Sequence, residues 1–394
     1  MHRILVTSLL FLLAYELPAQ DLKTIEVADA YKDRDRINLS TFAESIEYIR
    51  LETSEETLLS YPNVKGIHGD SVVLVKSMNR IALFDRKTGE YLRDIGHRGE
   101  DPNSFTSPNG ALSFNTNNGN IFAFKNYDIV EFSTRSNQIV RTIKKPDLTL
   151  LGETVAGPVQ SQINLVVWLE EGYMAGYVMN TSGREKMKMV LFDLDGKPLK
   201  LFKNNREFPK ENPRNIRMNN VDLFSFNGKS YLKEEFSDTL YSFSKTKMTP
   251  AFYFETGKYR PTYERQDELT SEQRLSLMFV DVITQDNLNI YFNLSHKNRY
   301  RVGLFNKKTN QTLISDPESD DLNGFYNDLD NFVPFIPSFR TQEGYLVGTI
   351  SAEDVYTWFQ SNRSKANKLP EHLKWFKNID PEDNPIVMIV KPKN

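Results

Sequence analysis

The sequence predicts an all-β chain: a six-bladed β-propeller of four-stranded antiparallel blades, closed by its N- and C-terminal strands and carrying short helical insertions. Three observations lead there. One hairpin pattern recurs through the chain, no Pro-, Gly- or Ser-rich linker divides it, and a lone β-like run stands near each end.

The first twenty residues separate from the rest. A basic start at His2 and Arg3, an apolar run from Ile4 to Ala14 and the stretch Leu17-Pro18-Ala19 read as a secretory signal peptide, residues 1–19, cleaved after Ala19. The apolar run falls short of the roughly 20 residues that span a bilayer as a helix. The 394-residue chain holds no Cys, which removes lipid anchoring through a cysteine, disulfides and thiolate metal sites. Stability must then come from a large core. Residues 20–394 are expected to form one propeller domain, exported to the periplasm or secreted, with no transmembrane span.

The clearest copy of the repeat is Ile81-Ala82-Leu83-Phe84-Asp85, the turn Arg86 to Gly89, and Glu90 to Gly96. Further copies run over Ile129 to Ile143, Met189 to Phe202, Thr239 to Phe254 and Val302 to Ile314. Their central residues, Phe84, Phe132, Phe192, Phe243 and Phe305, recur at intervals of 48, 60, 51 and 62 residues, a propeller period with loops of variable length. Other β-like runs, such as Ser71 to Val75 and Ile163 to Trp168, lie upstream of individual copies. Two hairpins per repeat make a four-stranded blade. Five copies are internal, and Ile46 to Leu51 joined to Ile386 to Val390 supplies a sixth, a closure that removes exposed sheet edges. Two helical decorations are expected near 262–278, where Thr270 and Gln273 can form a capping box, and near 353–376, broken by Pro370.

The run Phe84-Asp85 to Gly89, then Tyr91 to Gly99 with Pro102 and Phe105, resembles the first-blade signature of a six-bladed, NHL-like β-propeller family of exported bacterial envelope proteins. Glu100-Asp101-Pro102 stands where that family usually has a Gly-Pro pair. Ile46 to Glu52, Asn327-Asp328-Leu329-Asp330-Asn331 before Pro334, and Asp383-Asn384-Pro385-Ile386-Val387-Met388 are similar to further family stretches. The resemblance implies fold and export, and no reaction.

With 49 basic and 52 acidic residues the formal net charge is −3, which leaves no electrostatic footprint for nucleic acid. In a propeller, the loops from the outer strand of one blade to the inner strand of the next open on one face around the central channel. That face is expected to collect residues near 97–107, 145–158, 203–218, 257–277 and 315–333. Within them, His97 and Arg98 between Gly96 and Gly99 form a basic pair able to meet a carboxylate or sugar hydroxyl, and Arg214 and Arg217, with Arg206, add positive charge. The plainer reading of these residues is a solvated turn and scattered surface arginines.

Asp316, Glu318, Asp320, Asp321 and Asn323, followed by Asp328 and Asp330, form the densest acidic stretch. It offers oxygen ligands for Ca²⁺ but lacks the spacing of a dedicated calcium loop, and otherwise reads as a solubilising turn. No nucleophile elbow, metal-binding histidine pair or phosphate loop is present. The expectation is a non-catalytic recognition module with a small molecule, glycan or protein on its channel face. Two alternatives stand beside it. One is an envelope scaffold docking through a side of the propeller or through Glu353 to Phe376, which joint exposure of Trp358 and Trp375 would favour. The other is a propeller hydrolase or lyase.

Overall fold

The computed structural model describes residues 22–69, 72–107, 109–148, 163–210, 219–316 and 322–393. Six antiparallel sheets form the ring. In chain order they are β3 (Asn63–His68), β4 (Val72–Lys76), β5 (Ile81–Asp85) and β6 (Tyr91–Asp94); β7 (Ser113–Phe114), β8 (Ile121–Lys125), β9 (Asp128–Phe132) and β10 (Ile139–Lys144); then β11 (Ile163–Leu169), β12 (Tyr173–Val178), β13 (Met187–Phe192) and β14 (Pro198–Lys203). Blade 4 holds β15 (Val221–Phe226), β16 (Lys229–Glu234), β17 (Thr239–Phe243) and β18 (Met248–Glu255), and blade 5 holds β19 (Phe279–Gln285), β20 (Asn289–His296), β21 (Arg299–Asn306) and β22 (Gln311–Ile314). Blade 6 is composite: β23 (Phe339–Arg340), β24 (Leu346–Ile350) and β25 (Ile386–Pro392) are completed on the outside by the N-terminal β2 (Ala43–Arg50). Strand β2 pairs with β25 over its whole length, from Ala43 opposite Pro392 to Arg50 opposite Ile386, so the two ends of the chain close the ring.

The repeat falls on the third strand of five blades. Phe84, Phe132, Phe192, Phe243 and Phe305 sit in β5, β9, β13, β17 and β21 and are buried, each filling the layer between its sheet and a neighbour. The turn that follows is built by side chain as well as backbone. Asp85 Oδ1 accepts the N–H groups of Lys87 and Thr88 (both 2.8 Å), and Asn306 Oδ1 does the same for Lys308 (3.0 Å) and Thr309 (2.9 Å). Each turn ends in a left-handed residue, Gly89 (φ 76°) or Asn310 (φ 56°). Gly89 is required twice over, because a Cβ there would lie 1.9 Å from Arg50 O, where blade 1 meets blade 6.

The stretch Asp383 to Met388 owes its pattern to this closure. Asn384 is buried, its side chain donating to Glu52 O (2.7 Å) and Thr57 O (2.9 Å) and accepting from Leu59 N–H (3.0 Å). It ties the link between β2 and β3 to blade 6.

An unforeseen element precedes β2. Strand β1 (Lys23–Glu26) adds to the outer edge of blade 4 as a fifth strand, parallel to β18, and α1 (Val27–Lys32) packs on β18 and β22. The chain then bridges to blade 5 at Asp35 and Asn38 and enters blade 6. Ile25, Val27, Ile37 and Leu39 of this strap are buried.

The helical insertions are shorter than expected. Near 262–278 a 3-10 turn (Tyr263–Arg265) precedes α2 (Ser271–Ser276), which starts on the capping box formed by Thr270 and Gln273. Between β24 and β25 lie α3 (Ala352–Ser361), α4 (Arg363–Ala366), α5 (Glu371–Lys374) and a 3-10 turn (Trp375–Asn378). Far from decorating the surface, they roof blade 6, with Val355, Trp358, Phe359, Leu373 and Phe376 buried around Phe332 and Tyr48. Trp358 is only 7% exposed, edge-on to Phe332, whereas Trp375 is 44% exposed. The two do not form a shared exposed anchor.

Candidate functional site

The inner strands β3, β7, β11, β15, β19 and β23 stand side by side around the channel. At one end of the channel the chain enters the inner strands from the outer strands of the preceding blades. The channel widens there into a cavity of about 550 Å³, walled by the first residues of β3, β15 and β19 and by the segment entering β23. Apolar side chains, among them Leu223, Phe224, Ile283 and Phe339, share its lining with Asn63, Lys65, Asp222, Asp281, Asn293 and Ser338. The polar groups come from four blades and converge on one space.

Two carboxylates dominate the site. Asp222 on β15 reaches across to blade 5, its Oδ2 accepting the Val282 N–H at 2.8 Å. Burial and then the adjacent Asp281 carboxylate push its pKa up to about 8, against the pull of Lys233. Burial raises Asp281 as well, again opposed by Lys233. Lys233 is buried on β16 and donates to Glu234 O (3.0 Å) and Val280 O (2.9 Å); burial pushes its ammonium down, and Asp222 and Asp281 oppose that shift. Lys65, open to channel water yet enclosed by neighbouring strands, is lowered by burial and by Lys76. The pair therefore presents to the cavity a carboxyl, Asp222, that keeps its proton at neutral pH, beside a second carboxyl that burial also raises.

The sign for stability follows. A carboxyl raised on folding takes up a proton in the native state. Its favourable contribution is complete below the unfolded value near 3.8 and is lost as pH rises toward 8.

Further ionic groups follow at the end of β16 and in its turn to β17. Residues 233–238 are all buried, yet Lys233, Glu234, Glu235 and Asp238 are charged types. Glu234 accepts from the Tyr177 hydroxyl (2.7 Å) and pairs with Lys188, Glu235 pairs with Arg274, and Asp238 pairs with Arg260. Burial drives Glu235 and Asp238 upward against these cations. Such pairing holds the turn from β16 to β17, because a buried charge persists only with its partner.

The residues singled out in sequence are distributed otherwise. His97 Nε2 lies 2.5 Å from Asp101 Oδ2 within its own loop, and Arg98 donates to Asn79 Oδ1 (2.6 Å). Asp328 holds the strap by accepting from Ser40 N (2.8 Å) and Ser40 Oγ (2.5 Å). Asp330 accepts from the Tyr48 hydroxyl (2.9 Å) and from Asn327 Nδ2 (2.7 Å). Asp316 meets Arg34 (2.8 Å) and Arg301 (3.0 Å). These loops belong to different blades, and each described carboxylate of the acidic stretch already has a protein donor. Arg214, Arg217, Glu318, Asp320 and Asp321 lie outside the described residues, as does the signal segment.

The channel pair is not legible as a pair in the sequence, because its two carboxylates lie on separate apolar strands and not in a polar loop. Its signal is an Asp at a core-like position of an apolar strand, Val221-Asp222-Leu223-Phe224 and Phe279-Val280-Asp281-Val282.

Fold and site together define a β-propeller with an ionisable pocket at one end of its channel. The chain belongs to the family described as domain of unknown function DUF4934, which it matches over residues 22–391. The crystal structure of a "Putative exported protein" from Bacteroides fragilis NCTC 9343 superposes with a TM-score of 0.66 at 15% identity, covering 92% of this chain and 98% of that one, which shows a shared fold. Kluyveromyces lactis Hsv2p (TM-score 0.33, 11% identity, 66% and 72% covered) and the tricorn protease (0.38, 10%, 74% and 24%) are more distant. No curated protein sequence matches the chain. Among the described residues, no helix is long and apolar enough to cross a membrane.

Proposed function

We propose that this protein is an exported, non-catalytic recognition module, NHL-like in the use of its channel face, that binds a small polar ligand in the widened end of the channel. The observation that carries this reading is the 550 Å³ cavity in which Lys65, Asp222, Asp281 and Asn293 converge from blades 1, 4 and 5. A protonated carboxyl beside a second carboxyl, a lysine and amides offers complementary donors and acceptors, and apolar walls between them suit the faces of a sugar or small metabolite. The described residues place no histidine or activated nucleophile beside the carboxyl pair: His296 Nδ1 donates to Leu277 O, and His97 is engaged by Asp101. The signal peptide at residues 1–19, the resemblance to exported propellers and the name borne by the Bacteroides structure support export.

A thermal-shift screen of residues 20–394 against glycans, peptides, metabolites and Ca²⁺ tests the assignment. A ligand at 100 times its Kd adds about 2.7 kcal/mol to a protein that binds it only when folded. The shift is expected to vanish in Asp222→Asn, Asp281→Asn and Lys65→Met and to survive in His97→Ala and Arg98→Ala. A shift lost only in the loop variants, or no shift with any compound, contradicts the channel site.

A further inference from the structure

The outside of blade 5 carries a second cavity, independent of the channel. It is a groove of about 550 Å³ between the N-terminal strap and β22, lined by Glu26, Asp29, Asp33 and Asp35 on one side and by Thr312 and Ile314 on the other.

Strand β22 is the outermost strand of its blade, and its outer edge is largely unused. Leu313 pairs with Leu304, and Ser315 N–H donates inward to Val302 O (2.9 Å). Backbone groups alternate along a strand, so those of Thr312 and Ile314 point outward. Among the described residues the strap hydrogen-bonds to this edge only at its far end, where Asp35 N–H donates to Ile314 O (3.2 Å) and Asp316 N–H donates to Asp35 O (3.1 Å). Among the described residues, the N–H and C=O of Thr312 and the N–H of Ile314 find no partner, and Thr312 Oγ1 is buried without one. Buried or half-buried donors and acceptors of this kind are normally satisfied.

The neighbouring blade shows how such an edge is filled. On blade 4 the chain's own Lys23–Glu26 lies parallel to β18 as a fifth strand, in register from Lys23 opposite Phe252 to Glu26 opposite Glu255. Among the described residues blade 5 has no such strand, although a groove is left for one.

Charge identifies the occupant. Four carboxylates line the groove against one cation, Arg36, whose guanidinium lies 4.4 Å above the Tyr326 ring. Asp29 is met by Lys32 (2.7 Å), but Glu26 and Asp33 have no cationic partner among the described residues. We propose that this edge docks an extended, lysine- or arginine-rich segment of a partner protein, which adds to blade 5 as an outer strand. Main-chain bonds to Thr312 and Ile314 supply the register, and Glu26 and Asp33 select for basic side chains.

The test is fluorescence anisotropy with a labelled decapeptide of alternating Lys and Thr, and with its Glu-for-Lys counterpart, on residues 20–394. The Lys peptide is expected to bind with an affinity that falls as salt rises, and the Glu peptide not to bind. The exposed double variant Glu26→Lys with Asp33→Lys should weaken the Lys peptide by about tenfold or more, while Asp222→Asn binds it as the wild type does. Amide exchange at Thr312 and Ile314 should slow on binding. No binding of the Lys peptide, equal binding of both peptides, or indifference to the double variant overturns the proposal. A concentration-dependent dimer abolished by the double variant also overturns it, by making the occupant a second copy of this chain.

Discussion

Deleting residues 22–51 is expected to abolish cooperative folding, whereas deleting only residues 22–31 should leave a folded ring with a lowered melting temperature. The longer deletion removes β2 and exposes the whole edge of β25, and with it Ile37, Leu39, Phe42, Ala43, Ile49 and Leu51 leave the core. Each larger apolar side chain contributes about 1.5 to 3 kcal/mol on burial, and a domain has only about 5 to 15 kcal/mol in hand. The shorter deletion takes away β1, Ile25 and Val27 but keeps β2 in place, so blade 4 reverts to four strands and the ring stays closed. Circular dichroism melts of both truncations separate the cases. Two similar, cooperative melts would show that β2 does not close the ring.

The second large effect belongs to Lys233. Lys233→Met is expected to cost about 3 to 5 kcal/mol at pH 7, since it keeps the bulk of the side chain but leaves Asp222 and Asp281 without their buried cation. Because burial raises both carboxyls, protonation relieves the unpaired charge, and the penalty should shrink as pH falls toward 4. Adding Asp222→Asn and Asp281→Asn to Lys233→Met removes the stranded charge and should recover most of the loss at pH 7. Chemical denaturation at the two pH values measures this. A penalty independent of pH, with no recovery in the triple variant, would mean that Lys233 acts only by filling space.

The propeller was legible because its repeat is local. A strand ending in Phe, a turn opened by Asp85 or Asn306, and a strand after it lie within about fifteen residues, so hairpin chemistry alone writes the pattern. The sixth blade was legible only as two unpartnered ends, since β24 and β25 are separated by the helices from Ala352 to Asn378. The strap was not legible. Strand β1 is four residues long and pairs in parallel with a strand more than two hundred residues away, a contact that no local signal encodes.

Site residues divide the same way. Asp328 and Asp330 stood out as an acidic turn, and the structure employs both to fasten the strap and β2 through Ser40 and Tyr48. Asp222 and Asp281 are 59 positions apart and become neighbours only when β15 and β19 line the channel together. Burial and mutual repulsion, which give the pair its chemistry, are properties of the closed ring. Trp358, whose exposure together with Trp375 would have favoured a docking scaffold, instead packs on Phe332.

The most direct measurement is a carboxyl ¹³C NMR titration of the folded chain, residues 20–394, labelled at aspartate, with Asp222→Asn to assign the signal. A carboxyl resonance titrating near pH 8, absent from the variant, is expected if Asp222 keeps its proton in the channel at neutral pH. A protein whose aspartates all titrate below about pH 5, the ordinary range for exposed carboxyls, would contradict the ionisable channel pocket on which the proposed recognition function rests.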